Sequence, residues 1–65
     1  MILYFENRYR ERRELGNFLT EEDAWREIKN FCDNHNFKIN YVRSWVEKNE
    51  KWYDVGSHSE FFILV

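Results

Sequence analysis

Apolar and polar positions change their period several times along the chain. Residues 2–5, ILYF, and residues 61–65, FFILV, are unbroken apolar runs bounded by polar residues. Runs this short predict strands, and bulky groups at every position predict apolar side chains on both faces of a sheet. From about Thr20 to His35 the period becomes helical. Ala24, Trp25, Ile28, Phe31, Cys32 and His35 fall on one stripe, while Arg26, Glu27, Lys29, Asn30 and Asp33 fall on the other. Thr20 is the expected N-cap, followed by Glu21, Glu22 and Asp23 where the helix dipole favours acids. Asn34 and Asn36 tolerate the left-handed backbone that closes a helix.

Beyond the helix, FKINYVRSWVEK alternates strictly. This predicts one long strand with Phe37, Ile39, Tyr41, Arg43 and Trp45 on one face and Lys38, Asn40, Val42, Ser44 and Val46 on the other. KNEK is the expected turn and WYDV the returning arm; Gly56 then breaks the strand as a bulge or tight turn. Near the N-terminus, NRYRERREL either extends the first strand or returns as a second arm ending at Gly16-Asn17. The predicted fold class is α+β, in the order β(β)αββ(β): a small antiparallel sheet of roughly three to five strands with one helix on one face. With no proline, linker or repeat, residues 1–65 read as a single domain.

Composition adds a packing problem. Six Phe, four Tyr and three Trp among 65 residues offer ~150–250 Å² of burial each. A domain this short hides only ~60% of its unfolded surface. Phe61, Ile63 and Val65 alternate with Phe62 and Leu64, and Leu3 and Phe5 with Ile2 and Tyr4. Large apolar groups thus fall on both faces of the sheet, while a single helix shields only one. The second face is therefore expected to meet another copy of the chain, a ligand or a target protein, a homodimer or higher homo-oligomer being the usual solution. One cysteine, Cys32, gives no internal disulfide and fits a reducing compartment. No apolar run reaches the ~18 residues of a membrane span, and the N-terminal residues lack the order of a signal peptide, so a cytoplasmic protein without membrane association is expected.

Net charge is −2, unevenly spread. Residues 1–20 carry four Arg against three Glu, residues 21–36 two bases against five acids, and residues 37–65 four of each. Without a basic excess, general binding to duplex nucleic acid is not expected.

Asp54, Ser57 and His58 are the residue types of a hydrolase triad, but Ser57 and His58 are neighbours and no nucleophile elbow surrounds them. Catalysis is not expected. As a binding turn, Gly56 allows close backbone approach, Ser57 offers a hydroxyl and His58 can donate to an anion. The structural alternative is that Asp54 and Ser57 cap a bulge. Cys32 and His35 lie one helical turn apart; two ligands do not make a metal site, so neither metal nor cofactor is expected. Arg8, Arg10 and Arg12 would line one face of an extended strand, with Tyr9 opposite, as a row for phosphate or as a solvated edge. Arg43, in the apolar phase between Tyr41 and Trp45, calls for a counter-charge. A two-residue loop in KNEK would set Trp45 opposite Asp54 and Arg43 diagonal to it, giving a structural Arg43–Asp54 pair or a ligand-binding cation.

GNFLTEEDAWREIKNF, the aromatic strand YVRSW and WYDVGSHSEFF together resemble a group of very small phage- and prophage-encoded proteins. Their C-termini are similar to W-x-D-x-G-S-H-[ST]-x-F-F, and the resemblance covers residues 16–63. It implies a phage origin and a non-enzymatic protein that counters a host defence by binding, inside the infected cell. The leading form is sequestration of a nucleotide-like anion, with direct inhibition of a protein as the alternative. In the leading form Arg43, His58, Ser57 and the Arg8, Arg10 and Arg12 row would meet phosphate, and Trp45, Trp52 or Tyr53 would stack the base. The alternative is direct inhibition of a host defence protein, such as a nuclease, through the acidic helix positions Glu22, Asp23, Glu27 and Asp33 with aromatic anchors.

Overall fold

The computed structural model describes residues 1–65. The elements are β1 (Ile2–Glu6), β2 (Arg12–Asn17), α1 (Glu21–Asn34), β3 (Arg43–Glu47), β4 (Glu50–Asp54) and β5 (Phe61–Leu64). All five strands form one antiparallel sheet in the order β2-β1-β5-β4-β3, with α1 across one face. The α+β class and the two-layer arrangement match the sequence reading. NRYRERREL takes the second of its two courses, turning back to form β2.

Helix α1 forms where the stripe predicts. Thr20 Oγ1 accepts the Asp23 amide at 3.1 Å, three acids occupy the first turn, and Ala24, Ile28, Phe31 and Cys32 are buried. They pack on Leu3, Tyr53, Val55, Phe62 and Leu64, with Phe5, Leu15, Trp25, Phe37 and Ile39 closing the margins. Phe62, on the central strand, meets Phe5 at 5.3 Å and Phe31 edge-on at 5.4 Å between ring centroids. A register shift between Leu3 and Tyr4 against β2 forms a bulge, through which Leu15 joins this core.

The predicted strand from Phe37 is shorter than its alternation implies. Residues 37–42 are irregular, and Phe37 and Ile39 turn into the helix-side core while Arg43 and Trp45 lie on the other face. The reason is a missing neighbour: β4 ends at Asp54, and only the Asn40 amide, bonded to the Val55 carbonyl at 3.1 Å, continues the pairing. Register also differs from expectation. The turn is Lys48-Asn49, which sets Glu47 opposite Glu50, Trp45 opposite Trp52 and Arg43 directly opposite Asp54.

Lys48 and Asn49 both adopt left-handed backbone, at φ 51° and 64°, the conformation of a two-residue type I′ hairpin turn. Lysine is a poor occupant of that region. Replacing Lys48 with Asn and Asn49 with Gly is expected to stabilise the domain by about 0.5–1 kcal/mol, raising Tm by roughly 2–8 °C in thermal denaturation.

The sheet face away from the helix is closed in part by its own side chains. Across it run Glu14, Tyr4, Ile63, Trp52 and Trp45, one from each strand. The Arg12 guanidinium lies 5.8 Å from the ring centres of both Tyr4 and Trp52 and forms a forked pair with Glu50 at 3.1 and 3.3 Å. Beneath this cover Ile63 is fully buried although no helix shields it. An arginine head group over the two flanking rings thus helps to cover this face in place of a second layer. Tyr4, Trp45, Trp52 and Phe61 remain half-buried.

Candidate binding site

Asp54, at the end of β4, organises one end of the open face. Its side chain is fully buried. Oδ1 accepts three successive amides, from Gly56 at 3.0 Å, Ser57 at 3.1 Å and His58 at 3.3 Å. Oδ2 accepts Arg43 Nη2 at 3.2 Å and Tyr41 Oη at 3.5 Å, with His58 Nδ1 at 3.8 Å. Gly56 holds φ +115°, and a Cβ there would stand 2.9 Å from that of Asn40; only glycine fits this turn. Burial pushes the Asp54 carboxyl up, but the three amides and the nearby His58 outweigh it and hold the group below its ordinary value.

The sign of that shift gives a pH prediction. A carboxyl depressed on folding contributes stability that is complete above its unfolded value of about 3.9 and is lost as pH falls through the folded value. Urea midpoints should be flat from neutral pH to about pH 5 and fall progressively below about pH 4. Asp54→Asn, which keeps an oxygen for the amides, should flatten part of the acid limb.

Around Asp54 stand three exposed polar groups. Arg43 is 61% exposed at its side chain and His58 71%. Arg43 is therefore not the buried cation its strand phase predicts; a largely exposed side chain reaches back to a buried carboxylate through Nη2. Tyr41 Oη lies 3.0 Å from Nδ1 and 2.8 Å from Nε2 of His58. Partial desolvation and the Asp54 charge hold its phenol above the ordinary value. Arg43 sits 5.4 Å from the Trp45 ring centre, and Arg43, Ser44 and Trp45 line an open groove of about 390 Å³. Behind the groove, Trp45, Trp52 and Phe61 form a ring cluster with centroids 5.4–6.0 Å apart.

Several expected site residues have other employment. The amides of Gly56, Ser57 and His58 all serve Asp54, leaving none for an anion. Ser57 Oγ accepts the Ser59 and Glu60 amides at 3.3 and 3.0 Å and lies 3.3 Å from a Glu60 carboxylate oxygen. Ser57 and His58 make no hydrogen bond to each other, so the triad letters do not assemble. Arg8, Arg10 and Arg12 form no row. Arg8 and Arg10 belong to the β1–β2 turn, where Asn7 Oδ1 accepts the Tyr9 and Glu11 amides and Arg10 has φ 67°. Arg10 and Arg12 both bind the buried Glu6 carboxylate, at 3.1 and 3.0 Å. Tyr53 faces the helix against Trp25, at 5.9 Å, not the groove.

Arg43, Asp54, His58 and Trp45, with Gly56 and Ser57 beneath them, are thus brought together; Trp52 adjoins them through the ring cluster. Tyr41 and Glu50 escaped sequence reasoning. Tyr41's place next to the strand start was the available signal, whereas Glu50 has a role only once β2 and β4 share a sheet. Cys32 is buried in the core, and the His35 ring stacks on Phe31 at 4.1 Å. Helix α1, with its acids, and the ring cluster lie on opposite faces of the sheet. No helix is long and apolar enough to cross a membrane. No family model, curated protein or solved structure matches the chain.

Proposed function

We propose that this chain is a non-enzymatic, phage-type binding protein that counters a host defence by engaging a defence protein directly through the open sheet face. The carrying observation is the corner where the exposed Arg43 lies over Trp45 beside Trp52 and Phe61. Arginine and tryptophan are the residues that dominate protein interfaces, and a ring cluster rimmed by a cation fits a partner offering apolar side chains and a carboxylate. The phage setting comes from the C-terminal segment WYDVGSHSEFF. This reading moves the contact from the acidic helix positions to the sheet face.

Sequestration of a nucleotide-like anion is the second reading, favoured by the Arg43 cation placed over the Trp45 ring. Against it stand the occupied amides of the turn and a groove lined by three residues, where small-molecule sites enclose ~70–90% of their ligand. Expressing the chain in bacteria carrying defined defence systems tests the proposal. Phage plating should recover by at least about tenfold against one system, and Trp45→Ala and Arg43→Ala should abolish that recovery while the helical circular dichroism persists. Undiminished protection by both variants would overturn it. A large thermal shift with one nucleotide, lost in Trp45→Ala, would hand the case to the second reading.

A further inference from the structure

The sheet has two edges, and they are built differently. β2 carries a bulge opposite Leu3/Tyr4 and the consecutive charges Arg12, Arg13 and Glu14, features that discourage another strand from pairing. β3 has neither bulge nor glycine nor proline; its register with β4 is unbroken from Arg43 to Glu47. Its outer side is open, with Ser44 exposed and Val46 73% exposed.

Hydrogen-bond alternation says which groups face outward. The type I′ turn at Lys48-Asn49 closes with the Glu47–Glu50 pair bonded. Bonded pairs then recur at Trp45–Trp52 and Arg43–Asp54, and the intervening Ser44 and Val46 direct both N–H and C=O away from β4. An incoming strand therefore finds its donors and acceptors at Ser44 and Val46.

We propose that the occupant of this edge is β3 of a second copy, antiparallel about a two-fold axis through Trp45. Ser44 of one copy then faces Val46 of the other, and each such pair exchanges both backbone bonds. Trp45 meets its own counterpart on the open face, at the non-bonded position where side chains approach most closely. Arg43 of each copy falls opposite Glu47 of the other. This is the self-complementarity an isologous interface requires. Neighbouring registers lack it: an axis at Ser44 sets Arg43 against Trp45, and one at Val46 sets Glu47 against Trp45. Arg43 has N–H groups left after its single bond to Asp54, and Glu47 an oxygen left after accepting Trp45 Nε1 at 3.1 Å. The result is one sheet running through both copies, with the two ring clusters side by side. The pairing shares Arg43 and Trp45 with the contact proposed above but requires no host target, and Glu47→Arg tests it without altering either residue.

Sedimentation velocity and amide hydrogen exchange across a concentration series test it. The full chain should dimerise, and the Ser44 and Val46 amides should exchange at least about tenfold more slowly as dimer accumulates. Glu47→Arg and Arg43→Glu should each sediment as monomers, and their equimolar mixture should recover a dimer because the exchanged charges meet across the axis. Should Arg43→Glu not fold, the exchange rates of the unmodified chain decide alone. A chain that stays monomeric at millimolar concentration would overturn the proposal. So would a dimer whose Ser44 and Val46 amides remain unprotected, or one that Glu47→Arg leaves intact.

Discussion

Asp54→Ala is expected to cost about 3–5 kcal/mol in urea denaturation, close to the whole stability of a domain this size. Three partly buried amides lose their acceptor together, those of Gly56, Ser57 and His58, and a donor left unpaired costs up to about 1–3 kcal/mol as its burial increases. Arg43 and Tyr41 lose their shared oxygen at the same time. The first half of the turn from β4 to β5 depends on this carboxylate, as the second half depends on Ser57 Oγ. Asp54→Asn separates the contributions, since an amide oxygen can still accept the three N–H groups while the charge disappears. That variant should fold, with a loss nearer to about 1–2 kcal/mol. Equal losses for the two variants would mean that the charge, not the turn, is what the buried carboxylate supplies.

Phe62→Ala should be as damaging for a different reason. Phe62 is fully buried on the central strand between β1 and β4, and its ring packs on Phe5 and Phe31. Removing it leaves a cavity that neither neighbouring strand can close, at a cost of about 3–5 kcal/mol. Leucine at this position should recover most of the loss, because it restores volume if not shape. Both values are readable from urea midpoints at constant slope.

How much of this was legible in the sequence depends on how local each cause is. Helix α1 was legible to within a residue or so because cap, acidic first turn and apolar stripe all lie inside one segment. The central place of β5 was legible too: bulky groups at successive positions fit only a strand covered on both sides. The long strand from Phe37 was overread. Alternation records which side chains can share a face but not whether a neighbouring strand is present to bond the backbone. The hairpin register depended on which two residues of KNEK take left-handed backbone, and Asn49 suits either placement. The arginine row failed on Asn7, a turn former whose side chain gathers two amides and folds the segment back.

At the site, the Arg43–Asp54 pair is the one of the two expected roles for Arg43 that the structure contains, but Arg43 is not buried as its strand phase implied. The aspartate is buried and the arginine exposed, because the carboxylate has three amides to satisfy it and the guanidinium does not. The covering of Ile63 by Arg12 could not be read at all. Arg12 and Glu50 are far apart in sequence, and only the strand order β2-β1-β5-β4 brings their side chains across the same face.

The two faces of the sheet thus differ in burial. The helix side holds the fold, whereas Trp45 on the other side is half-buried and Arg43 exposed, and that corner is the surface proposed for recognition. Comparing the unfolding free energies of Trp45→Ala and Phe62→Ala at low protein concentration tests that division directly. Trp45→Ala should lose under about 1.5 kcal/mol, less than half the loss in Phe62→Ala. Equal losses would contradict the account, because the Trp45 ring would then belong to the core and not to a surface awaiting a partner.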